Sequence, residues 1–271
     1  MNIQLRKFDM SQIKDDKVVV MVGKRDTGKS FLCKDLLYYH QQIPVGTVIS
    51  ATEGANKFYS NIVPSLFIHD EYNEDIVKNI ITRQKGVVEK IHQQNSAFGS
   101  SNLDPRAFLI LDDCLYDSSW TKSKWVRSVF MNGRHYKLMF IITMQYALGI
   151  PPNLRTNIDY VFILRENIVQ NRRRLYDSYA GMFPTFEVFC QVMNQCTENY
   201  ECLVINNNAK SNKIEDQVFW YKAESHPPFQ MGAAVFWEHH TNNYNEQYEQ
   251  EEQTEVVQNV KGPLVNVKKE Y

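Results

Sequence analysis

The chain has 271 residues, of which 43% are hydrophobic, 23% charged and 13% aromatic, and its net charge is −1. That is long for one domain, short for two, and ordinary for a globular core; it argues against a disordered chain and against a strongly basic protein that coats nucleic acid. Cys33, Cys114, Cys190, Cys196 and Cys202 are odd in number and contain no Cys-x-x-Cys pair, so reduced thiols are expected rather than a disulfide framework or a zinc site. Residues 1–10 lack the apolar stretch of a secretory signal, and no apolar run approaches the length of a membrane span.

In chain order, the β-branched run 17–22 predicts a buried strand and 31–42 an amphipathic helix. Residues 45–51 and 67–69 predict two further strands. Residues 73–94 carry Ile76, Ile80, Val87 and Ile91 at helical spacing, which predicts a long surface helix before a loop over 95–105. Apolar strands follow at 107–111, 138–143 and 160–164, with a helix at 121–134 between the first two. Helices at 167–179 and 184–195 and a closing hairpin, 202–205 with 218–221, complete the ordered part. Strands alternating with helices imply crossover connections and a mostly parallel sheet. Continuous apolar strands imply that both faces are covered. From residue 238 the chain is dominated by Asn, Gln, Glu and Tyr, so residues 238–271 are expected to be a flexible tail after an ordered unit spanning 1–237.

Gly23-Lys24-Arg25-Asp26-Thr27-Gly28-Lys29-Ser30 fits the phosphate-loop pattern G-x-x-x-x-G-K-[ST] in full, between a strand and a helix. Glycines let the backbone turn and aim its N–H groups at an anion. The helix start adds a positive dipole end. Lys29 is expected to reach the outer phosphates of a nucleoside triphosphate and Ser30 to offer its hydroxyl to Mg²⁺. The strand 107–111 delivers Asp112 and Asp113 to the edge where ligands of open α/β sheets bind. Asp112 is assigned to Mg²⁺, and Asp113 to orienting or deprotonating an attacking water.

Gln145 closes the next apolar strand, and Arg134 precedes it. Gln145 either senses the terminal phosphate or holds the attacking water, or it simply caps a helix. Arg134 is either a surface cation or an arginine finger reaching a neighbouring subunit. Asn212-Lys213-Ile214-Glu215 is the nearest approach to a guanine-recognition motif, and Glu215 in its fourth place argues against a GTPase.

The order of this loop, Leu109-Ile110-Leu111-Asp112-Asp113, Arg134-His135, Gln145 and the stretch Pro151-Pro152-Asn153-Leu154-Arg155-Thr156-Asn157-Ile158-Asp159 resembles the FtsK–HerA superfamily. Within it, the chain is similar to the poxvirus-like genome-packaging ATPases of nucleocytoplasmic large DNA viruses. The resemblance covers roughly residues 15–180, leaving 181–237 as a C-terminal elaboration. It implies a RecA-like P-loop core with an additional strand, ATP and Mg²⁺ as ligands, and hydrolysis coupled to movement of double-stranded DNA. It further implies a ring, commonly a hexamer, with Arg134 completing the neighbour's site. Capsid or membrane-vertex proteins would be partners, at assembly sites in the host cytoplasm or in the virion. Many superfamily members place Glu where this chain has Asp113, whose reach is one C–C bond shorter. Expected DNA-phosphate contacts are Lys122, Lys124 and Arg127, or the run Arg172, Arg173 and Arg174. Two other readings of the residues stay open: a P-loop kinase acting on a small molecule, and an assembly protein in which nucleotide only fixes the oligomeric state.

Overall fold

The computed structural model of the protein describes residues 3–114 and 118–245. Its strands are β1 (Arg6–Lys7), β2 (Val18–Val22), β3 (Gly46–Ser50), β4 (Ile68–His69), β5 (Ala107–Asp112), β6 (Leu138–Met144), β7 (Tyr160–Ile163), β8 (Glu201–Asn206) and β9 (Val218–Lys222). They form one sheet in the order β1-β9-β8-β7-β2-β6-β5-β3-β4. Every neighbouring pair is parallel except β7 with β8 and β8 with β9. The fold is thus α/β, with a mostly parallel sheet and with β6 inserted between β2 and the acidic strand β5, the additional-strand arrangement.

The helices are α1 (Lys29–Tyr39), α2 (Glu53–Asn56), α3 (Glu74–Phe98), α4 (Lys124–Asn132), α5 (Pro152–Arg155), α6 (Val169–Tyr179), α7 (Phe186–Cys196), α8 (Ile214–Gln217) and α9 (Ala234–Asn243). Two apolar clusters lie on opposite faces of the sheet, because successive strand side chains alternate. Val20, Leu109, Leu111, Phe140 and Ile142 pack with Val77, Ile81, Val126 and Phe189 from helices α3, α4 and α7. Val19, Met21, Phe108, Ile110 and Ile141 pack with Leu32, Leu36 and Leu37 of α1 and with Phe236 of α9. Cover on both faces explains why these strands read as unbroken apolar runs.

Several boundaries differ from expectation. The helix expected at 73–94 continues to Phe98 and stops at Gly99, which takes φ +79°; its buried face is Val77, Ile81 and Gln84, one position off the isoleucine register. The helix expected at 121–134 is α4 flanked by two short 3-10 turns, Ser118–Lys122 and Gly133–Tyr136. Ordered structure runs past the expected boundary at 238: α9 continues to Asn243, with Phe236 buried against Phe67, ring centroids 4.4 Å apart. The rest of the expected tail from 246 lies outside the described residues. Strands β8 and β9, from the C-terminal elaboration, extend the same sheet. At its edge β9 pairs with β1, a strand of two polar residues with no apolar signal.

Candidate nucleotide site

The strand ends converge at one edge. Register pairs Ser50 with Asp112, Asp112 with Thr143, and Val22 with Met144. The Gly23 N–H then donates to the Met144 carbonyl at 3.0 Å, which sets the loop beside Gln145. At Gly23 an added Cβ would lie 2.6 Å from Thr27 Oγ1 and 2.8 Å from Leu164 Cβ, so only glycine fits. Asp26 takes φ +60° and Gly28 φ +96°, the left-handed turn that doubles the loop back. Helix α1 opens directly after Gly28 with no side-chain cap. Its first-turn N–H groups therefore lack intrahelical acceptors and face the loop, as an anion site requires.

Lys29 is buried, and its ammonium donates to the carbonyls of Gly23 at 2.9 Å and Lys24 at 3.1 Å. It also pairs with Asp113 Oδ2 at 3.2 Å. Thr27 Oγ1 donates to the Lys24 carbonyl at 2.7 Å, closing the loop from inside. Arg25 and Asp26 are exposed, and Ser30 is half-buried in the first turn of α1. The uncapped helix start, the glycine-only approach and the central ammonium fit a polyphosphate.

Asp112 is 3% exposed; its carboxylate accepts hydrogen bonds from the Ser50 hydroxyl at 3.3 Å and from the Thr143 hydroxyl. Burial pushes its pKa above the usual carboxylate range, the Thr143 hydrogen bond opposes the rise, and the neighbouring Asp113 charge adds to it. A cation near Ser30 would reverse that shift, so Ser30 and Asp112 have the donor chemistry for Mg²⁺. Asp113 leaves the strand in the left-handed conformation, φ +47°. Its N–H donates to Thr143 Oγ1 at 3.1 Å, and its carboxylate accepts from Gln145 Nε2 at 3.3 Å. Lys29, Asp113 and Gln145, expected from three separate segments, thus meet at one point.

Arg134 lies elsewhere. It is exposed on the turn before β6, and the seven residues of that strand separate it from Gln145. At roughly 3.3 Å per residue that is about 23 Å, beyond the reach of a side chain. The basic candidates also separate. Lys122, Lys124 and Arg127 are exposed around the start of α4. On α6, Arg172 donates to the carbonyl of Glu166 and, at 2.7 Å, to Asn194 Oδ1. Arg173 stacks over Phe186 at 3.8 Å, and Arg174 over Tyr146 at 5.0 Å. Arg174 also lines a narrow space with Gly23 and Gln145, so the three arginines do not form one outward stripe.

Sequence reasoning missed four supports. Thr143 joins Asp112 to the Asp113 backbone, and nothing in an apolar strand singles out its hydroxyl. Ser50 stands at the matching end of β3. Glu166, 5% exposed, pairs with Lys24 of the loop at 2.6 Å and accepts from the Ile168 N–H at 2.8 Å and from Asn171 at 3.0 Å. Burial alone would raise its pKa, but these three donors hold it below the ordinary value. Gln84, fully buried on α3, donates to the carbonyls of Pro105 and Tyr136, both at 2.7 Å, and so pins the turn that carries Arg134.

No protein-family model matches the chain. It is 42% identical over 250 residues to the uncharacterized protein 075L of Invertebrate iridescent virus 6, covering 91% of this chain and 93% of that one. To the uncharacterized protein L437 of Acanthamoeba polyphaga mimivirus it is 41% identical over 246 residues, covering 90% and 86%. Among solved structures, it is similar to the genome packaging NTPase B204 from Sulfolobus turreted icosahedral virus 2 in complex with AMP. There the TM-score is 0.52 and the identity 17%, over 79% of this chain and 100% of that one. The pCW3 conjugation coupling protein TcpA, in a form with ATPγS, gives a TM-score of 0.52 at 10% identity, over 77% and 60%. At those identities the likeness is one of fold. The chain belongs to the family of large-DNA-virus proteins that includes 075L and L437, and it has the α/β fold of P-loop packaging NTPases.

Proposed function

We propose that the protein is an ATPase that moves double-stranded DNA and packages a viral genome into the capsid, as a member of the poxvirus-like branch of the FtsK–HerA superfamily. The observation that carries this reading is the meeting of Lys29, Asp113 and Gln145 beside a loop shaped for polyphosphate. Lys29 holds the outer phosphates. Asp113, steadied by Gln145, orients a water and takes its proton. Ser30 and Asp112 would hold Mg²⁺, which would neutralise phosphate charge.

Arg134 acts in a neighbouring subunit of a ring, a hexamer by family likeness. Its position at the far sheet edge supports this, because it cannot serve its own loop. The exposed Lys122 and Arg127, with Lys124 beside them over the Trp125 ring at 4.9 Å, are better placed to meet DNA phosphates than Arg172, Arg173 and Arg174, all three of which are engaged with their own chain. Capsid or membrane-vertex proteins are the further partners, at viral assembly sites in the host cytoplasm or in the virion. Among the described residues no helix is long and apolar enough to cross a membrane.

Displacement of a third strand from a triplex on blunt duplex DNA tests the reading. Displacement that needs ATP and Mg²⁺ and disappears in Asp113→Asn is expected. Hydrolysis without displacement would contradict translocation, and transfer of labelled phosphate to a nucleoside monophosphate would point to a kinase.

A further inference from the structure

We propose that the cleft between the phosphate loop and the start of β8 receives the nucleoside of the bound triphosphate, with its base stacked on Tyr200. This rests on the phosphate-loop reading above. The cleft encloses about 180 Å³ and is lined by Asp26, Thr27, Arg165, Asn199, Tyr200 and Glu201. The loop itself therefore forms one wall.

The sheet order fixes which end of the ligand the cleft faces. Strands β5 and β6, which supply Asp112, Asp113 and Gln145, lie on one flank of β2; β7 and β8 lie on the other. Because β8 runs antiparallel to β7, with Ile163 opposite Leu203, its first residues return to the same sheet edge as the loop. A triphosphate whose terminal group sits at Lys29 and Asp113 leaves the loop toward β7 and β8, where the cleft opens.

Tyr200 has the placement of a stacking platform. It is 69% exposed, yet its ring packs on the loop: a Cβ at Gly28 would lie 3.4 Å from its Cδ1. Asn199 and Tyr200 both take left-handed backbone, φ +51° and +65°, in succession. Such conformations are costly for a tyrosine and gather where a site needs a side chain aimed. The turn is held on both sides, by the Glu201 N–H donating to the Glu198 carbonyl at 2.8 Å and by buried Thr197 donating to the Met193 carbonyl at 2.6 Å. Burial of its own ring cannot explain the strain, since the ring stays in water. Arg165, exposed in the same cleft just after β7, makes no hydrogen bond or ion pair among the described residues and offers a guanidinium to the ribose-phosphate.

Calorimetric binding of ATP and of inorganic tripolyphosphate, each with Mg²⁺, to the full chain tests the assignment. Tyr200→Ala should weaken ATP about 10- to 100-fold, the range carried by one stacked base, and leave tripolyphosphate unchanged. Tyr200→Phe should bind ATP as wild type does. Unaltered ATP affinity in Tyr200→Ala, or equal weakening of ATP and tripolyphosphate, would overturn the stacking role. If wild type fails to bind tripolyphosphate, or Lys29→Ala leaves both affinities intact, the phosphate-loop reading falls first and takes this proposal with it.

Discussion

At the residue scale, the site separates groups that bind from groups that act. Lys29→Ala should abolish nucleotide binding, because among the described residues no other buried cation meets the loop carbonyls. Asp113→Asn should bind ATP normally and lose about 10²- to 10⁴-fold in kcat, the usual weight of a general base; normal turnover would remove Asp113 from that role. Thr143→Val keeps shape and removes the hydroxyl that joins Asp112 to the Asp113 N–H, so single-turnover rates should fall about 10- to 100-fold, as for other supports of metal ligands. Glu166→Gln tests the Lys24 latch through pH. Because the folded pKa of Glu166 lies below its ordinary 4.5, the stability it adds is full above that value and is lost as pH falls through the folded pKa. The gap in urea midpoint between wild type and Glu166→Gln should therefore be open at neutral pH and close in acid. The convergence of Lys29, Asp112 and Asp113 on one strand edge was legible in the sequence, because each sits in a recognisable motif. Thr143, Ser50 and Glu166 were not, since their roles depend on strand register and on a contact across 142 residues of chain between Lys24 and Glu166.

At the element scale, the helix bearing Lys29 is bolted to the C-terminal elaboration. Asp35 on α1 is buried and accepts from Tyr221 Oη at 2.7 Å and the Glu224 N–H at 3.1 Å; its other oxygen meets His226 Nε2 at 2.5 Å. His226 in turn stacks on Tyr38 of α1, with ring centroids 3.8 Å apart. Asp35→Ala strands these donors and should lower unfolding free energy by about 3 kcal/mol, read from urea denaturation. A loss under ~0.5 kcal/mol would show that the strap adds little. The central strands were legible because five parallel neighbours buried on both faces leave apolar runs. Strand β1 and helix α9 were not: Arg6 and Lys7 are polar residues held in the sheet by backbone pairing and by ion pairs with Asp216 and Glu224, and the apolar run 233–237 is too short to mark a helix before the chain turns polar.

At the scale of the whole molecule, Gln145 and Arg134 stand at opposite ends of β6. Gln145 faces the chain's own loop, whereas Arg134, about 23 Å away along the strand, faces outward on a turn held by Gln84. A ring in which Arg134 completes the neighbour's site, as proposed, would share each site between subunits, so mixing Arg134→Ala with Lys29→Ala subunits should restore part of the lost ATPase activity. Mixed rings with no recovery at any ratio would count against a finger in trans. ATP hydrolysis harnessed to duplex DNA is tested most directly by the steady-state rate of phosphate release with and without long duplex DNA. A Mg²⁺-dependent rate that rises several-fold with DNA and vanishes in Asp113→Asn is expected; a rate indifferent to DNA, or unchanged in that variant, would contradict DNA-coupled hydrolysis.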